Sequence, residues 1–321
     1  MIGKIFKWIV ALLLIGFIAL FVWGYAPELS VEELKADYAN GESEFVGLGG
    51  GLTVHLRDEG PKDAPAIILL HGSNASLHTW DGWTDRLKDT YRIIRFDQAG
   101  HGLTGPHPKD CYTIDCYVDV VDRVAANRGL TRFILGGNSM GGGISYAYAR
   151  THPEKLAGLI LVDASGAPQT KKADLPIGFK IARTPGINRL TQIITPRSII
   201  ETSLTQSVSN KAVVTPANVD LYWKMLRREG NRRATGLRFA EYAKRKAYTP
   251  LKASPIPALI LWGADDKLIA ASDAKWFAAQ FPNSQTKIYK DIGHLPMEET
   301  PEKSAADVKA WAGSVISPAR P

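Results

Sequence analysis

The longest apolar run opens the chain: the 19 residues from Trp8 to Ala26 carry no charge and are mostly Leu, Ile, Val, Phe and Ala. As a helix this run would span ~28 Å, close to the hydrocarbon thickness of a bilayer. Lys4 and Lys7 precede it, whereas Glu28, Glu32 and Glu33 follow it. That asymmetry predicts a cytoplasmic N-terminus, with the bulk of the chain on the periplasmic or other extracytoplasmic side. Trp8, Trp23 and Tyr25 sit where an aromatic belt would. The rival is a cleaved signal peptide, with Gly24-Tyr25-Ala26 as its small-residue site. Its apolar region should be only ~7–15 residues long, and Pro27 directly follows the site. The pattern therefore favours an uncleaved single-pass anchor over residues 1–26. Residues 27–42 read as a linker in which Val31, Leu34 and Tyr38 recur at helical spacing.

Beyond residue 42 the apolar runs shorten. Glu44–Leu48 and Thr53–Arg57 flank Gly49-Gly50-Gly51 and predict a β-hairpin. Further strands are expected over Ala64–Leu70, Tyr91–Phe96, Phe133–Gly136, Leu156–Val162, Pro257–Trp262 and Gln285–Tyr289. Helical periodicity marks Tyr112–Asn127, Ser139–Arg150, Ser272–Gln280 and Pro301–Trp311. Strands alternating with helices predict an α/β fold, a mostly parallel sheet covered by helices on both faces. The sites of such sheets lie beyond the C-terminal ends of the strands. His71-Gly72, Asp97, Ser139, Asp163, Asp266 and His294 all fall there. Residues 167–250 break the alternation with helical and loop-like sequence. They are expected to form a cap between two strands, leaving 43–166 and 251–321 as the catalytic core. A lid of this kind excludes water and shapes a substrate pocket.

Apolar residues make up 45% of the 321 and charged residues 22%, which excludes a disordered chain. The net charge is +7, unevenly spread: residues 171–250 hold 16 Lys/Arg against 5 Asp/Glu. A basic segment suits anionic lipid or an anionic substrate, although a solvated helical surface would read the same way. No basic-aromatic recognition module appears, so nucleic acid is not an expected partner. Cys111 and Cys116 lack zinc spacing. Outside the cytoplasm they could pair, yet residues five apart at a helix start do not always meet disulfide geometry, and two thiols remain the alternative.

The strongest chemical signal is Gly137-Asn138-Ser139-Met140-Gly141, placed directly between a strand and a helix. A sharp turn there exposes the serine hydroxyl above the sheet, near a helix N-terminus that favours negative charge. A serine hydroxyl needs a base, and His294, on the loop after the last strand, is the candidate. His71, His78 and His101 fit other roles better. The base needs an acid to hold its tautomer. Asp266 fits best, with adjacent Asp265 and Asp163 as alternatives. The order Ser139, Asp266, His294 is that of the α/β-hydrolases. An oxyanion needs backbone N–H donors: one from Met140, the other from Ser73, with Asn74 the next choice.

The segments His71-Gly72-Ser73-Asn74, Asp97-Gln98-Ala99-Gly100-His101-Gly102, Gly137-Asn138-Ser139-Met140-Gly141, Gly263-Ala264-Asp265-Asp266 and Gly293-His294 resemble the α/β-hydrolase fold family in order and spacing, over roughly Phe45 to Trp311. The likeness is to the branch of bacterial esterases and carbon–carbon bond hydrolases, which often show Asn before the serine. It implies a structural turn at Asp97, a cap that sets the substrate, no organic cofactor and no metal. Serine at 139 departs from the aspartate of dehalogenases and epoxide hydrolases. The expected activity is hydrolysis of a small-molecule or lipid-like ester with a hydrophobic acyl group. Hydrolysis of a carbon–carbon bond in a vinylogous diketone is the alternative enzyme reading, amide or haloperoxidase-like chemistry a lesser one, and a non-catalytic ligand-binding protein the alternative of another class. Trp80, Tyr222 and Trp223 are candidate pocket residues or core residues. Acyl length and oligomeric state are not encoded in these patterns.

Overall fold

A computed structural model describes residues 2–184 and 186–316. Residues 317–321, the end of the expected catalytic core, lie outside the described residues. Eight strands form one sheet: β1 Ser43–Gly47, β2 Thr53–Glu59, β3 Ala66–Leu70, β4 Arg92–Phe96, β5 Phe133–Asn138, β6 Leu156–Val162, β7 Ala258–Gly263 and β8 Ser284–Tyr289. Their spatial order is β1-β2-β4-β3-β5-β6-β7-β8. The hairpin β1–β2 is antiparallel and joins β4 antiparallel. From β4 to β8 every pairing is parallel.

The central strands read as continuous apolar runs because both faces are covered. In β3, Ile68 and Leu70 join the cluster that holds Tyr117, Val121 and Ile144. Ile67 and Leu69 point the other way, to Trp83, Val308 and Trp311. The alternation follows from the two-residue period of a strand. Helices Ile114–Asn127 and Met140–Thr151 cover one face, and Asp81–Leu87 and Pro301–Ile316 the other. One expected helix is interrupted: the run at Ser272–Gln280 is a three-ten turn, Ala271–Asp273, followed by the short helix Ala274–Ala278.

Between β6 and β7 the chain leaves the sheet and forms the helices Ile177–Arg183, Ile187–Leu190, Arg197–Ser207, Pro216–Arg227 and Asn231–Ala243, with a three-ten turn at Lys211–Val213. This segment holds most of the basic excess, and much of that charge is used internally. Arg227 Nε donates to the Pro27 carbonyl at 3.0 Å, and an Arg232 Nη donates to the Ala26 carbonyl at 2.6 Å.

The helix Ile2–Gly24 contains Lys4–Gly24, which is, among the described residues, the one helix long and apolar enough to cross a membrane. The stretch expected as a linker is packed. Ser30 and Glu33 form a capping box that starts the helix Val31–Tyr38, and Leu34 is buried against Leu103 and Met225. Backbone hydrogen bonds from Ala26 to Ile193, from Thr195 to Gly24 and from Leu29 to Arg227 lace the end of the apolar helix to the inserted segment. Cys111 and Cys116 form a disulfide with a Cα–Cα separation of 6.1 Å, which ties the segment before the Thr113-capped helix to that helix's first turn.

Candidate active site

The parallel strands deliver their C-terminal ends to one edge of the sheet. Ser139 follows β5 at φ 54°, ψ −114°. A non-glycine residue in so sparse a region costs about 1–3 kcal/mol and persists only when its surroundings enforce it. Here they do. The Ser139 amide donates to the Val162 carbonyl at 2.9 Å, and the Ser139 carbonyl accepts from the Gly143 and Ser165 amides, each at 3.0 Å. A Cβ on Gly137 would lie 2.3 Å from the Gly141 carbonyl carbon, and one on Gly141 would lie 2.2 Å from the Leu70 carbonyl oxygen. The turn closes because both are glycine.

His294 lies on the loop after β8. Its Nδ1 is 2.7 Å from Asp266 Oδ2. Asp266 Oδ1 accepts from the Leu268 amide at 2.8 Å and the Ile269 amide at 3.1 Å, which fixes the carboxylate plane. Asp265, the neighbour in sequence, is exposed, and among the described residues its carboxylate accepts from Ser209 Oγ alone, at 3.3 Å. Asp163 is fully buried at the end of β6, its Oδ1 accepting from the Gly263 amide at 3.0 Å. Burial first, and then the Asp266 charge, push the Asp163 carboxyl well above the usual carboxylate range. Three groups converge here: the His294 imidazole, the Asp266 carboxylate that bonds it, and the buried Asp163 carboxyl beside them. Their ligand atoms lie within 4.8 Å of one another.

Ser73 follows β3, and its Oγ lies 3.4 Å from Met140 Sδ. Ser73, Ser139 and Met140 line a common cavity, and the Met140 amide is the first of its helix, where N–H groups lack an intrahelical partner. Asn74 takes φ 62°. Its Oδ1 accepts from Arg238 at 2.7 Å. His71 is not a base for this serine. Its Nε2 accepts from the Gln98 amide at 3.0 Å, so Nδ1 carries the proton and donates to the Gly72 carbonyl at 2.8 Å. Burial holds its pKa down, keeping the ring neutral. Asp97 accepts from the Leu77 and Leu103 amides and pairs with His55 at 2.7 Å. Burial alone would raise Asp97, but His55 and its neighbours hold it below the usual range. It anchors the turn at 97–102.

The alpha/beta hydrolase fold family model matches residues 65–301. The chain belongs to the α/β-hydrolase family. A monoacylglycerol lipase of Xenopus laevis is 22% identical over 305 residues, covering 94% of this chain and 88% of that one. A 2-hydroxymuconate semialdehyde hydrolase of Pseudomonas sp. is 26% identical over 254 residues, covering 77% and 86%. Among solved structures, a membrane phospholipase A described as a bacterial virulence factor aligns with a TM-score of 0.73 at 22% identity, covering 99% of this chain and 100% of that one. At that identity the likeness speaks for the fold.

In this α/β-hydrolase a cavity of about 140 Å³ opens over Ser139 and His294. Its walls are largely apolar and come mostly from the inserted helices, with Phe179, Ile194, Ile199, Ile200, Leu204 and Leu226 among them. Tyr222 also lines it, and its hydroxyl donates to Glu298 at 2.6 Å. Trp80 instead packs on Trp83 in the core, and Trp223 Nε1 donates to the Thr195 carbonyl. Two supporting residues carry no sequence signal. Glu299 accepts from the Gly293, Ser209 and Asn210 amides, tying the His294 loop to the inserted segment. Arg238 is buried beside Met140. Both work through contacts remote in sequence, so no local pattern marks them.

Proposed function

We propose that this chain is a membrane-anchored serine esterase for a substrate with a hydrophobic acyl group. The observation that carries this reading is the 2.7 Å bond between His294 Nδ1 and Asp266 Oδ2 on the floor of an apolar cavity that Ser139 shares. With Nδ1 donating to Asp266, Nε2 keeps its lone pair. Ser139 Oγ attacks the ester carbonyl while His294 Nε2 takes its proton. The tetrahedral oxyanion is held by the Ser73 and Met140 amides, each worth several kcal/mol where water is excluded. Collapse expels the alcohol, which leaves with the proton from His294. Water, deprotonated by His294, then attacks the acyl-enzyme, and the acid departs as Ser139 regains its proton. Burial and the Asp266 charge raise the pKa of the second carboxyl, Asp163, which favours Asp266 as the charged partner of the imidazolium.

The domain reading is a core of 43–166 and 251–321 under a cap of 167–250. Residues 1–26 form the anchor, with the N-terminus cytoplasmic and the enzyme on the other side. The Cys111–Cys116 disulfide supports an oxidising compartment. The hydrogen bonds at Gly24, Ala26 and Leu29 would hold the cap against the bilayer. Ile187, Leu190 and Ile193 are exposed on that part of the cap, as an interfacial surface requires.

The test is a screen of p-nitrophenyl esters from acetate to palmitate with the full chain in detergent, beside Ser139→Ala. Turnover lost in the variant would support the reading, and the chain-length optimum would measure the cavity. Turnover unaffected by Ser139→Ala would overturn it. Turnover of vinylogous diketones and of no ester would move the assignment to carbon–carbon bond hydrolysis, the reaction type at which the 2-hydroxymuconate semialdehyde hydrolase relative points. A reporter fused after Pro321 tests the topology, and a cytoplasmic signal would overturn it.

A further inference from the structure

A second cavity, of about 80 Å³, meets the first at Ser73 and Ser139. Its lining is more polar and carries positive charge. Arg183, Arg238 and Arg245 line it together with Tyr112, Tyr117 and Tyr242, and no aspartate or glutamate is among its lining residues.

Arg238 decides what this cavity is for. It stands on the helix Asn231–Ala243 and is only 4% exposed. One Nη donates to Asn74 Oδ1 at 2.7 Å and to Thr235 Oγ1 at 2.9 Å. The other has only Met140 Sδ, at 4.0 Å. Its Nε is buried and finds no partner among the described residues. None of the ion pairs among the described residues includes it. Elsewhere in the inserted segment Arg197 pairs with Asp220 and Arg233 with Asp110, and Arg227 and Arg232 donate to backbone carbonyls, although the Nε atoms of Arg228 and Arg232 are buried without a partner like that of Arg238. An arginine does not deprotonate in a protein. An uncompensated buried charge costs several kcal/mol. Burial, with Arg245 as a like charge nearby, already weakens the hold of Arg238 on its proton. The positive charge, the Nη that meets only the weak acceptor Met140 Sδ, and the acid-free walls are together complementary to an anion that arrives with the substrate. The contact with Met140 puts that anion next to the oxyanion donors.

We propose that the Arg238 cavity is an anion subsite and that the substrate is an ester carrying a carboxylate or phosphate group close to its scissile carbonyl, with its hydrocarbon arm in the apolar cavity. This rests on the esterase reading for the bond that is cleaved, but not for the binding of the anion. Planar guanidinium suits either anion through paired N–H donors.

The experiment compares two substrates of equal chain length, p-nitrophenyl valerate and the p-nitrophenyl half-ester of glutarate, which differ by a terminal carboxylate. The reading is the ratio of kcat/KM, charged over neutral, within each enzyme. Hydrogen bonds to a charged group are worth about 1.5–3 kcal/mol, so Arg238→Gln should lower this ratio roughly tenfold to a hundredfold. Arg238→Lys, which keeps the charge and loses the fork, should fall between. An unchanged ratio in both variants would overturn the subsite, because an arginine that only props Asn74 would slow both esters alike. A second arm needs no turnover. Binding of octanoate, octyl phosphate and octanol to the Ser139→Ala protein is measured by calorimetry. Tighter binding of either anion than of octanol, lost in Ser139→Ala/Arg238→Gln, supports the subsite and tells carboxylate from phosphate. Equal binding of all three overturns it. Arg238-dependent binding without hydrolysis of any ester would uphold the subsite and overturn the esterase reading.

Discussion

The side-chain amide of Asn138 donates to the backbone carbonyl of His294 at 3.1 Å, across 156 residues of sequence. The same nitrogen reaches the Val162 carbonyl at 3.3 Å. Asn138 thus ties the turn that carries the serine to the loop that carries the histidine. Geometry errors of about 1 Å in such a pair cost as much as a hundredfold in rate.

Asn138→Ala should therefore lower kcat on a neutral ester by about tenfold, the worth of one hydrogen bond, with a smaller change in KM. Steady-state kinetics would show it. A change confined to KM would mean that Asn138 shapes substrate binding instead.

Asp266 and Asp265 are adjacent in sequence and differ in placement. Asp266→Asn should cost about 10²–10⁴ in kcat, as expected when the imidazole loses its orienting anion. Asp265→Asn, at an exposed position whose carboxylate accepts from Ser209, should stay near wild type. Equal losses in the two variants would remove Asp266 from the proposed triad.

Asp163 gives a pH signature in stability. Its folded pKa is raised by burial and by Asp266, so the folded state keeps a proton that the unfolded state releases. Stability then falls as pH rises above the unfolded value near 3.8 toward the folded pKa. Asp163→Asn lacks this proton and keeps an oxygen for the Gly263 amide. Its Tm relative to wild type should rise between pH 4 and pH 8, by about 2–4 °C for each kcal/mol involved. A difference independent of pH would show that Asp163 is ionised in the fold.

The Cys111–Cys116 bridge closes a short loop that runs into the first turn of the helix Ile114–Asn127. Chain entropy gives such a loop about 2 kcal/mol. Reduction should lower Tm by about 5 °C, read by thermal melts with and without dithiothreitol. An unchanged Tm would mean that the Thr113 cap alone sets the start of this helix.

Much of this molecule was legible in local pattern. The strand Phe133–Asn138 and the helix after Ser139 follow from apolar periodicity and from glycines on either side of the serine. The hairpin around Gly49-Gly50-Gly51 and the start of the helix Val31–Tyr38 follow likewise from neighbours in sequence. The boundaries differ where local rules compete. The helix expected from Tyr112 begins at Ile114, because the Thr113 side chain accepts from the Cys116 amide and caps it.

By itself the sequence determined the fold class, the strained turn at Ser139 and the order in which serine, acid and histidine occur, because each is written within a few residues through backbone sterics and hydrophobic period. Only the tertiary structure decided which of three aspartates meets His294. Burial and hydrogen-bond geometry separate Asp266, Asp265 and Asp163, and neither is a property of a short segment. The same holds for the packing of residues 27–42 on the inserted helices and for the acid-free surroundings of Arg238. A charge pattern counts arginines along the chain. Whether one is left buried without a counter-charge depends on what the folded chain brings to within a few ångströms of it.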